Sequence, residues 1–222
     1  MTHPLSETGS ATTQPRAESF VDWFHINTRW ITIGAALVVA VAFGVWFVQR
    51  KSLNETISAD KQLVVAKQSM GSGNAPLAEA DLKKVLDRYG DKAAGAEAGM
   101  LLAQLRFDRA DFAGAVTTLR DLSTKVSTGP NASSVRGLLG DALAQLDKSA
   151  DAAVEYEKAA SLTTMPNEKS FWLSKAARSY MMAGKTPEAK KLYEGLAAQS
   201  DNEAVSTEAH VRLGELATGG RP

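Results

Sequence analysis

The chain has 222 residues, which is room for one domain of ordinary size with appendages. Its 25 lysines and arginines balance its 25 aspartates and glutamates, so no excess of positive charge attracts nucleic acid, and we expect no nucleic-acid partner. The lack of cysteine excludes disulfides, thiolate metal ligands and cysteine nucleophiles. Runs of β-branched and aromatic residues are rare outside one segment, which, with abundant alanine, favours an all-α fold.

The N-terminal part of the chain divides into two predicted segments. Residues 1–19 are rich in threonine, serine, proline and glutamine and lack apolar periodicity, so we expect a disordered tail. Residues 20–29 form a juxtamembrane amphipathic segment whose apolar patch is Phe20, Val21, Trp23, Phe24 and Ile26. We interpret this patch as an interfacial helix leading into a membrane; a docking site is the alternative.

Residues 30–49 are predicted to form a single transmembrane helix. The run from Trp30 to Val48 has no charged residue in 19 positions and would span about 28 Å as a helix, close to the thickness of the hydrocarbon core. A buried core helix would usually present a polar stripe, and this run has none. A cleaved signal peptide is another interpretation, because Ala40-Val41-Ala42 is an A-x-A string, but cleavage there would leave bulky aromatic residues at the new terminus.

Residues 50–222 are organised by a 37-residue repeat. Two columns of small residues recur at this interval: Ala66, Ala103, Gly140, Ala177 and Gly214; and Ala78, Ala115, Ala152 and Ala189. Three columns of mainly apolar residues recur at the same interval: Val65, Leu102, Leu139, Ala176 and Leu213; Leu82, Leu119, Tyr156 and Tyr193; and Val85, Leu122, Ala159 and Leu196. The pattern predicts pairs of helices that cross closely at the small residues, giving an α-solenoid of about four hairpins. Residues 203–217 supply one further helix, which we expect to act as a C-terminal cap.

The last full repeat combines small, aromatic and apolar residues at fixed offsets: Leu173, Ala177, Tyr180, Gly184, Ala189 and Tyr193. These residues fall in the order and spacing of the tetratricopeptide repeat (TPR), which the repeat therefore resembles. Arg106 departs from the pattern because an apolar or aromatic residue is usual there. The resemblance implies a recognition scaffold and by itself implies no particular partner.

No group of residues indicates catalysis. No two of the three histidines lie at helical ligand spacing, and neither a phosphate-binding loop nor a G-x-S-x-G elbow occurs. We therefore expect a protein that is not an enzyme, with no catalytic residue, cofactor, metal site or small-molecule substrate.

The resemblance to tetratricopeptide arrays implies a groove lined by the first helix of each repeat. One predicted row of this groove is polar, and a second, one turn later, is largely apolar: Lys67, Gln104, Asp141 and Arg178; then Met70, Phe107, Ala144 and Met181, with Met182 beside the last. Such a surface suits an extended or partly unfolded peptide. Alternatively, the methionine and phenylalanine side chains pack against neighbouring helices.

The plan of the whole chain resembles the ancillary subunit family of the SecYEG translocon, with local likeness at residues 18–24 and 59–70. That resemblance implies a single-pass protein of the bacterial inner membrane with a cytoplasmic N-terminus, a periplasmic repeat domain and contact with the bilayer through residues 30–49. Its implied partners are translocon subunits, chaperones or extended polypeptide clients.

Two alternatives stay open on topology and role. Near the membrane, Arg16 and Arg29 precede the span whereas Arg50, Lys51, Lys61 and Lys67 follow it, a bias that favours a cytoplasmic repeat domain. The alternative role is a structural or assembly subunit of another membrane complex, of the cell envelope, division or respiratory type.

Overall fold

The computed structural model describes residues 16–199 and 202–218, with side chains from residue 28 onward except that of residue 31. Across these residues the chain forms α-helices and no strand, so the predicted all-α fold is confirmed. The helices are α1 (Arg16–Gly71), α2 (Ala75–Tyr89), α3 (Ala93–Asp108), α4 (Phe112–Lys125), α5 (Ala132–Gln145), α6 (Ser149–Leu162), α7 (Pro166–Met182), α8 (Thr186–Ala197) and α9 (Glu203–Ala217).

The chain divides into two units, Met1–Asn54 and Glu55–Pro222. The first unit contains the N-terminal part of α1 and the candidate membrane span. Within Thr28–Gly71 the most apolar 18-residue window has a mean hydropathy of 2.5, and its side chains are not covered by the rest of the protein. Length and composition therefore make this segment a candidate membrane helix. Because α1 begins at Arg16, residues 16–19 of the predicted tail are helical, whereas residues 1–15 lie outside the described residues.

The second unit is a stack of helical hairpins in which each helix packs against the next along the chain. Its core follows the 37-residue register. The small residues of the second column are completely buried, and the large residues that follow them by four are buried as well: Ala78, Ala115, Ala152 and Ala189; Leu82, Leu119, Tyr156 and Tyr193. The close approach is clearest at Gly140, where an added Cβ would lie 2.6 Å from the ring of Tyr156.

One residue of the apolar columns lies outside this core. Leu102 and Leu139 are buried against the second helix of the preceding repeat, in clusters that contain Leu82 and Leu119 respectively. Val65 occupies the same register position on α1 but is 55% exposed. Its exposure follows from its place in the first repeat, where no described repeat helix precedes it.

The turns inside the hairpins share one backbone conformation. The sequence breakers between the paired helices coincide with the ends of α1, α3, α5 and α7. Each turn holds one residue at positive φ, again at 37-residue intervals: Gly73, Ala110, Asp147 and Gly184. In the last three turns the amide that follows donates to a carbonyl five residues earlier, as in a Schellman motif: Asp111 to Arg106, Lys148 to Leu143 and Lys185 to Tyr180.

Arg106, which departs from the repeat pattern, is accommodated by a polar network. Its guanidinium donates to the Gly114 carbonyl oxygen at 2.8 Å and to the Thr118 hydroxyl at 2.5 Å, both on α4. It also pairs with Glu79 of α2 at 3.2 Å, and Arg109 pairs with the same carboxylate at 2.8 Å. The network joins three consecutive helices where the pattern would place an apolar contact.

Candidate functional site

A cavity of about 470 Å³ lies between the first helices of consecutive repeats, with lining residues on α3, α5 and α7 and Tyr156 of α6. Apolar atoms come from Phe107 at the end of α3, from Ala144 and from Met182, which is 60% exposed. Charged side chains also line the cavity: Asp141 on α5, and Lys175 and Arg178 on α7. The cavity therefore combines an apolar surface with both signs of charge.

Asp141 is the centre of the polar side of this cavity. Its Oδ1 accepts a hydrogen bond from the Tyr156 hydroxyl at 2.5 Å. The same oxygen forms an ion pair with Lys175 Nζ. Burial raises the pKa of Tyr156, and the hydrogen bond to Asp141 and the negative charge of that carboxylate raise it further. The tyrosine therefore stays protonated and donates to the carboxylate, which fixes the position of the charge.

Lys175 is held from its other side by aromatic rings. Its Nζ lies 5.0 Å from the ring centroid of Tyr156, 5.3 Å from that of Phe171 and 5.4 Å from that of Trp172. Cation–π attraction at such distances is worth about 0.5–1 kcal/mol for an exposed pair. The rings of Phe171 and Trp172 pack edge to face with centroids 4.7 Å apart. The lysine is thus bound to the protein and carries little free charge into the cavity.

Glu168 fixes the start of α7 relative to α5. Its carboxylate accepts hydrogen bonds from the Thr163 hydroxyl at 2.5 Å, the Ser133 hydroxyl at 2.8 Å and Trp172 Nε1 at 3.1 Å. The bond from Thr163 contributes most to lowering the pKa of Glu168, burial opposes it, and the bonds from Ser133 and Trp172 add to the lowering. These bonds orient Trp172, and through it the aromatic surface under Lys175.

Five of the residues predicted for the groove line this cavity: Phe107, Asp141, Ala144, Arg178 and Met182. Lys175 and Tyr156 were missed as site residues. The available signal was that Lys175 precedes Arg178 by three residues, so both lie on one helix face, and that Tyr156 belongs to an apolar column.

The other predicted groove residues lie elsewhere. Lys67 pairs with Glu97 at 2.5 Å, and the Gln104 side chain donates to Asp108 at 2.9 Å. Met70 packs against the core cluster of α1–α3, and Met181 is only 8% exposed in the cluster formed with α8 and α9. No group of three or more histidine and acidic side chains able to hold a metal ion occurs among the described residues.

Stacked helical hairpins with a cavity between their first helices define a class of protein, the helical-repeat scaffold for protein–protein interaction. The chain belongs to the tetratricopeptide repeat-like domain family, whose model matches residues 48–173.

Solved structures show the same fold. The tetratricopeptide-like repeats assigned to a kinesin light chain of Podospora anserina are 15% identical, with a TM-score of 0.54 over 72% of this chain and 85% of that one. A tetratricopeptide repeat protein from Parabacteroides merdae is 11% identical, with a TM-score of 0.56 over 73% of this chain and 61% of that one. At these identities the likeness concerns the fold alone. No curated protein matches the chain significantly.

Proposed function

We propose that the protein is a membrane-anchored TPR scaffold that binds an extended segment of another protein in the cavity between α5 and α7. The observation that carries the proposal is the mixed lining of this cavity. A volume of about 470 Å³ is within the range of ligand pockets and accommodates one or two large side chains. The exposed, flexible side chain of Met182 adapts to different apolar partners.

The polar side of the cavity suits a peptide backbone. An extended segment carries unpaired amides and carbonyl groups that need hydrogen-bond partners when they leave water. Asp141 is about 30% exposed, so its carboxylate retains acceptor capacity beyond the Tyr156 bond. Gln145 at the same cavity supplies a neutral donor and acceptor. These groups would hold the backbone while Phe107 and Met182 contact an apolar side chain.

In this proposal the apolar part of α1 anchors the protein in the bacterial inner membrane, and the repeat domain acts on the periplasmic side. There it would serve as a chaperone-like accessory factor of the Sec translocon. Support comes from the resemblance of the whole chain to the ancillary subunit family, whereas the distribution of lysine and arginine opposes this topology.

Reporter fusions at the C-terminus test the topology directly. We expect activity from a reporter that functions only outside the cytoplasm and none from one that functions only inside it. The opposite pattern would exclude a periplasmic role, and with it the role at the translocon.

A second candidate function is a structural subunit of another membrane complex. It is favoured by Val64 and Val65 on α1, which are 63% and 55% exposed and lie outside the cavity. An assembly subunit would use such a surface in a permanent contact, whereas a client-binding scaffold would depend on the groove.

Co-purification of the full-length chain with translocon subunits after mild solubilisation separates the two candidates. We expect Phe107→Ser with Met182→Ser to abolish cross-linking to extended clients while Val64→Ser with Val65→Ser leaves it intact. If only the α1 pair matters, or if the recovered partners exclude the translocon, the scaffold proposal fails in favour of the structural one.

A further inference from the structure

One face of α1 lies at the open end of the repeat stack. We call its six exposed residues the α1 face: Ile57, Asp60, Lys61, Val64, Val65 and Gln68. Ile57 is 45% exposed, and Val64 and Val65 are exposed by more than half. In the next two repeats the register position of Val65 holds Leu102 and Leu139, which are buried against a preceding helix. Among the described residues, no repeat helix covers the α1 face in this way.

The α1 face has an apolar centre and opposite charges on its two flanks. Successive residues of an α-helix are rotated by about 100°, so Val64 and Gln68 lie within about 20° of the direction of Ile57. By the same rotation, Asp60 lies about 60° to one side of that direction and Lys61 about 40° to the other. An apolar line therefore runs between a negative flank and a positive flank.

Neither flanking charge is balanced within its own chain. Neighbouring residues of a helix do not face each other, so Asp60 and Lys61 do not pair. The positions three and four residues away from each hold no charged side chain. Within the part of the chain that the structure describes, neither residue forms an ion pair, whereas Lys67 on the same helix pairs with Glu97. Both charges on the α1 face are therefore available to a partner.

We propose that the α1 face binds the same face of a second copy of this chain, with the two helices parallel. A two-fold interface must be complementary to itself. In a parallel two-fold pair, the negative flank of each helix meets the positive flank of the other. Asp60 of each copy therefore lies beside Lys61 of the other, one residue apart in height, which gives two equivalent ion pairs. Ile57 and Val64 meet their own counterparts between them.

The same charges disfavour an antiparallel pair. If the two helices ran in opposite directions about these residues, like flanks would meet, and Asp60 would face Asp60 while Lys61 faced Lys61. Charges beside the apolar seam of paired helices determine partner and orientation in this way. A shared membrane would impose the parallel arrangement too, because α1 of every copy would leave the candidate span in the same direction. This last argument rests on the proposed membrane anchor, whereas the argument from charge does not.

Introduced cysteines test the pairing in the full-length chain in detergent. The chain has no cysteine of its own, so each variant can form only the intended disulfide. Val64→Cys and Ile57→Cys should each give linked dimers on mild oxidation. Val211→Cys replaces a similarly exposed valine on α9 and should remain unlinked.

A mixture of the two α1 variants reports the direction of the helices. Positions 57 and 64 are about 10.5 Å apart along a helix, and a disulfide requires Cα atoms within about 7 Å. In a parallel pair each variant should therefore link to itself and not to the other. A predominance of mixed dimers would show antiparallel helices and overturn the proposal.

Exchanged charges test the flanks. Asp60→Lys places two lysines on both copies and Lys61→Asp places two aspartates, so each variant alone should dimerise about tenfold more weakly than the unchanged chain. Mixing the two variants should restore dimers, because each pair of lysines then faces a pair of aspartates. The chain that carries both changes should dimerise like the unchanged one. Sedimentation equilibrium measures the dissociation constants, and added salt should reduce the differences.

Both positions are exposed and unpaired within the described residues, so circular dichroism should show an unchanged helical fold in every variant. A folded chain that stays monomeric at all concentrations would overturn the proposal and leave the α1 face to a bilayer surface or an unrelated protein. A dimer that ignores the charge exchanges would also overturn it, because the contact would then lie elsewhere.

These outcomes are separate from those for the proposed function. Phe107 and Met182 lie outside the α1 face, so loss of the dimer would leave the peptide cavity standing. Reporter fusions that showed a cytoplasmic repeat domain would exclude the role at the translocon. They would not change the expected dimer, because all copies would still share one orientation.

Discussion

Tyr156 and Tyr193 occupy the same position in consecutive repeats and are almost equally buried, but their hydroxyl groups differ in what they contact. The bond from Tyr156 ends on a charged acceptor, and hydrogen bonds of that kind contribute more than neutral ones. The two residues therefore form a natural pair for separating the effect of the hydrogen bond from that of the ring.

We predict that Tyr156→Phe lowers the free energy of unfolding by about 1–2 kcal/mol, because Asp141 loses a donor and Lys175 alone balances its charge. Tyr193→Phe should cost less than about 0.5 kcal/mol, since its hydroxyl has no partner to lose within the described residues. Urea unfolding of the two variants in detergent measures both values. If both variants lose the same free energy of unfolding, the hydrogen bond from Tyr156 to Asp141 does not contribute to stability.

At the same scale, the repeat register predicts part of the candidate site and stops there. Asp141 and Arg178, which the register predicts for the groove, both line the cavity, because the period defines which face of each helix they occupy. The register does not separate Met181 from Met182. Neighbouring helix positions differ by about 100° in direction, so one of the two is buried and the other lines the cavity. Lys175 is held by aromatic rings from two helices. Such tertiary contacts cannot be predicted from the repeat period.

At the scale of helices and turns, the turns within the hairpins show how much of the local structure can be predicted from helix-breaking residues. Glycine at positions 73 and 184 marks a turn directly, since glycine adopts positive φ without strain. Ala110 and Asp147 hold the same conformation, with φ of 57° and 58°. Aspartate is only moderately enriched in this conformation, and alanine gives no sign of it. The turn location was predictable from the sequence, whereas the strain at two of the four turns was not.

Replacing Ala110 with glycine should therefore stabilise the protein by about 0.5–1 kcal/mol. The left-handed conformation costs alanine about 1–2 kcal/mol, and the greater entropy of glycine in the unfolded chain offsets about 0.5–1 kcal/mol of this relief. Gly184→Ala, at the equivalent position, should destabilise it by a similar amount. Both are measured as changes in the urea midpoint. A loss of stability in Ala110→Gly would mean that the entropy of the unfolded glycine outweighs the relieved strain.

The junction of α5, α7 and the segment between α6 and α7 depends on an ionised Glu168. Hydrogen bonds from Thr163, Ser133 and Trp172 hold its pKa below the ordinary value of 4.5. A group with a depressed pKa in the folded state contributes stability above the unfolded pKa, and that contribution disappears as the pH falls through the folded value.

Glu168→Gln should accordingly be less stable than the unchanged protein at pH 7, with a difference that narrows below about pH 4.5. Urea unfolding at pH 7, 5 and 3.5 follows the difference. Glu194→Gln, which removes an exposed pair with Lys190, serves as the control and should show little effect at any of these values. If the difference in stability between the two proteins does not change with pH, Glu168 contributes through its packing and not through its charge.

For the whole molecule, α9 covers the last hairpin. Ala209 is buried there, and Leu213 and Leu216 pack against the cluster that contains Tyr193 and Leu196. Terminal helices of this kind shield an apolar face that would otherwise meet water.

Ending the chain at Gln199 should reduce the free energy of unfolding by about 3 kcal/mol or more, the amount expected from exposing two large buried side chains. Removal of residues 219–222 alone should have little effect. Thermal melts followed by circular dichroism compare the two truncations. An unchanged melting temperature after loss of α9 would mean that the last hairpin is stable without a cap.

The packing of each helix chiefly against its neighbours along the chain also determines the order in which the protein can form. Contacts between residues close in the chain require little loop closure, so we expect rapid folding that can proceed hairpin by hairpin. A hairpin such as α3 and α4 can close while α8 and α9 are still being synthesised. We therefore expect the repeat domain to begin folding without any distant segment, from whichever hairpin closes first.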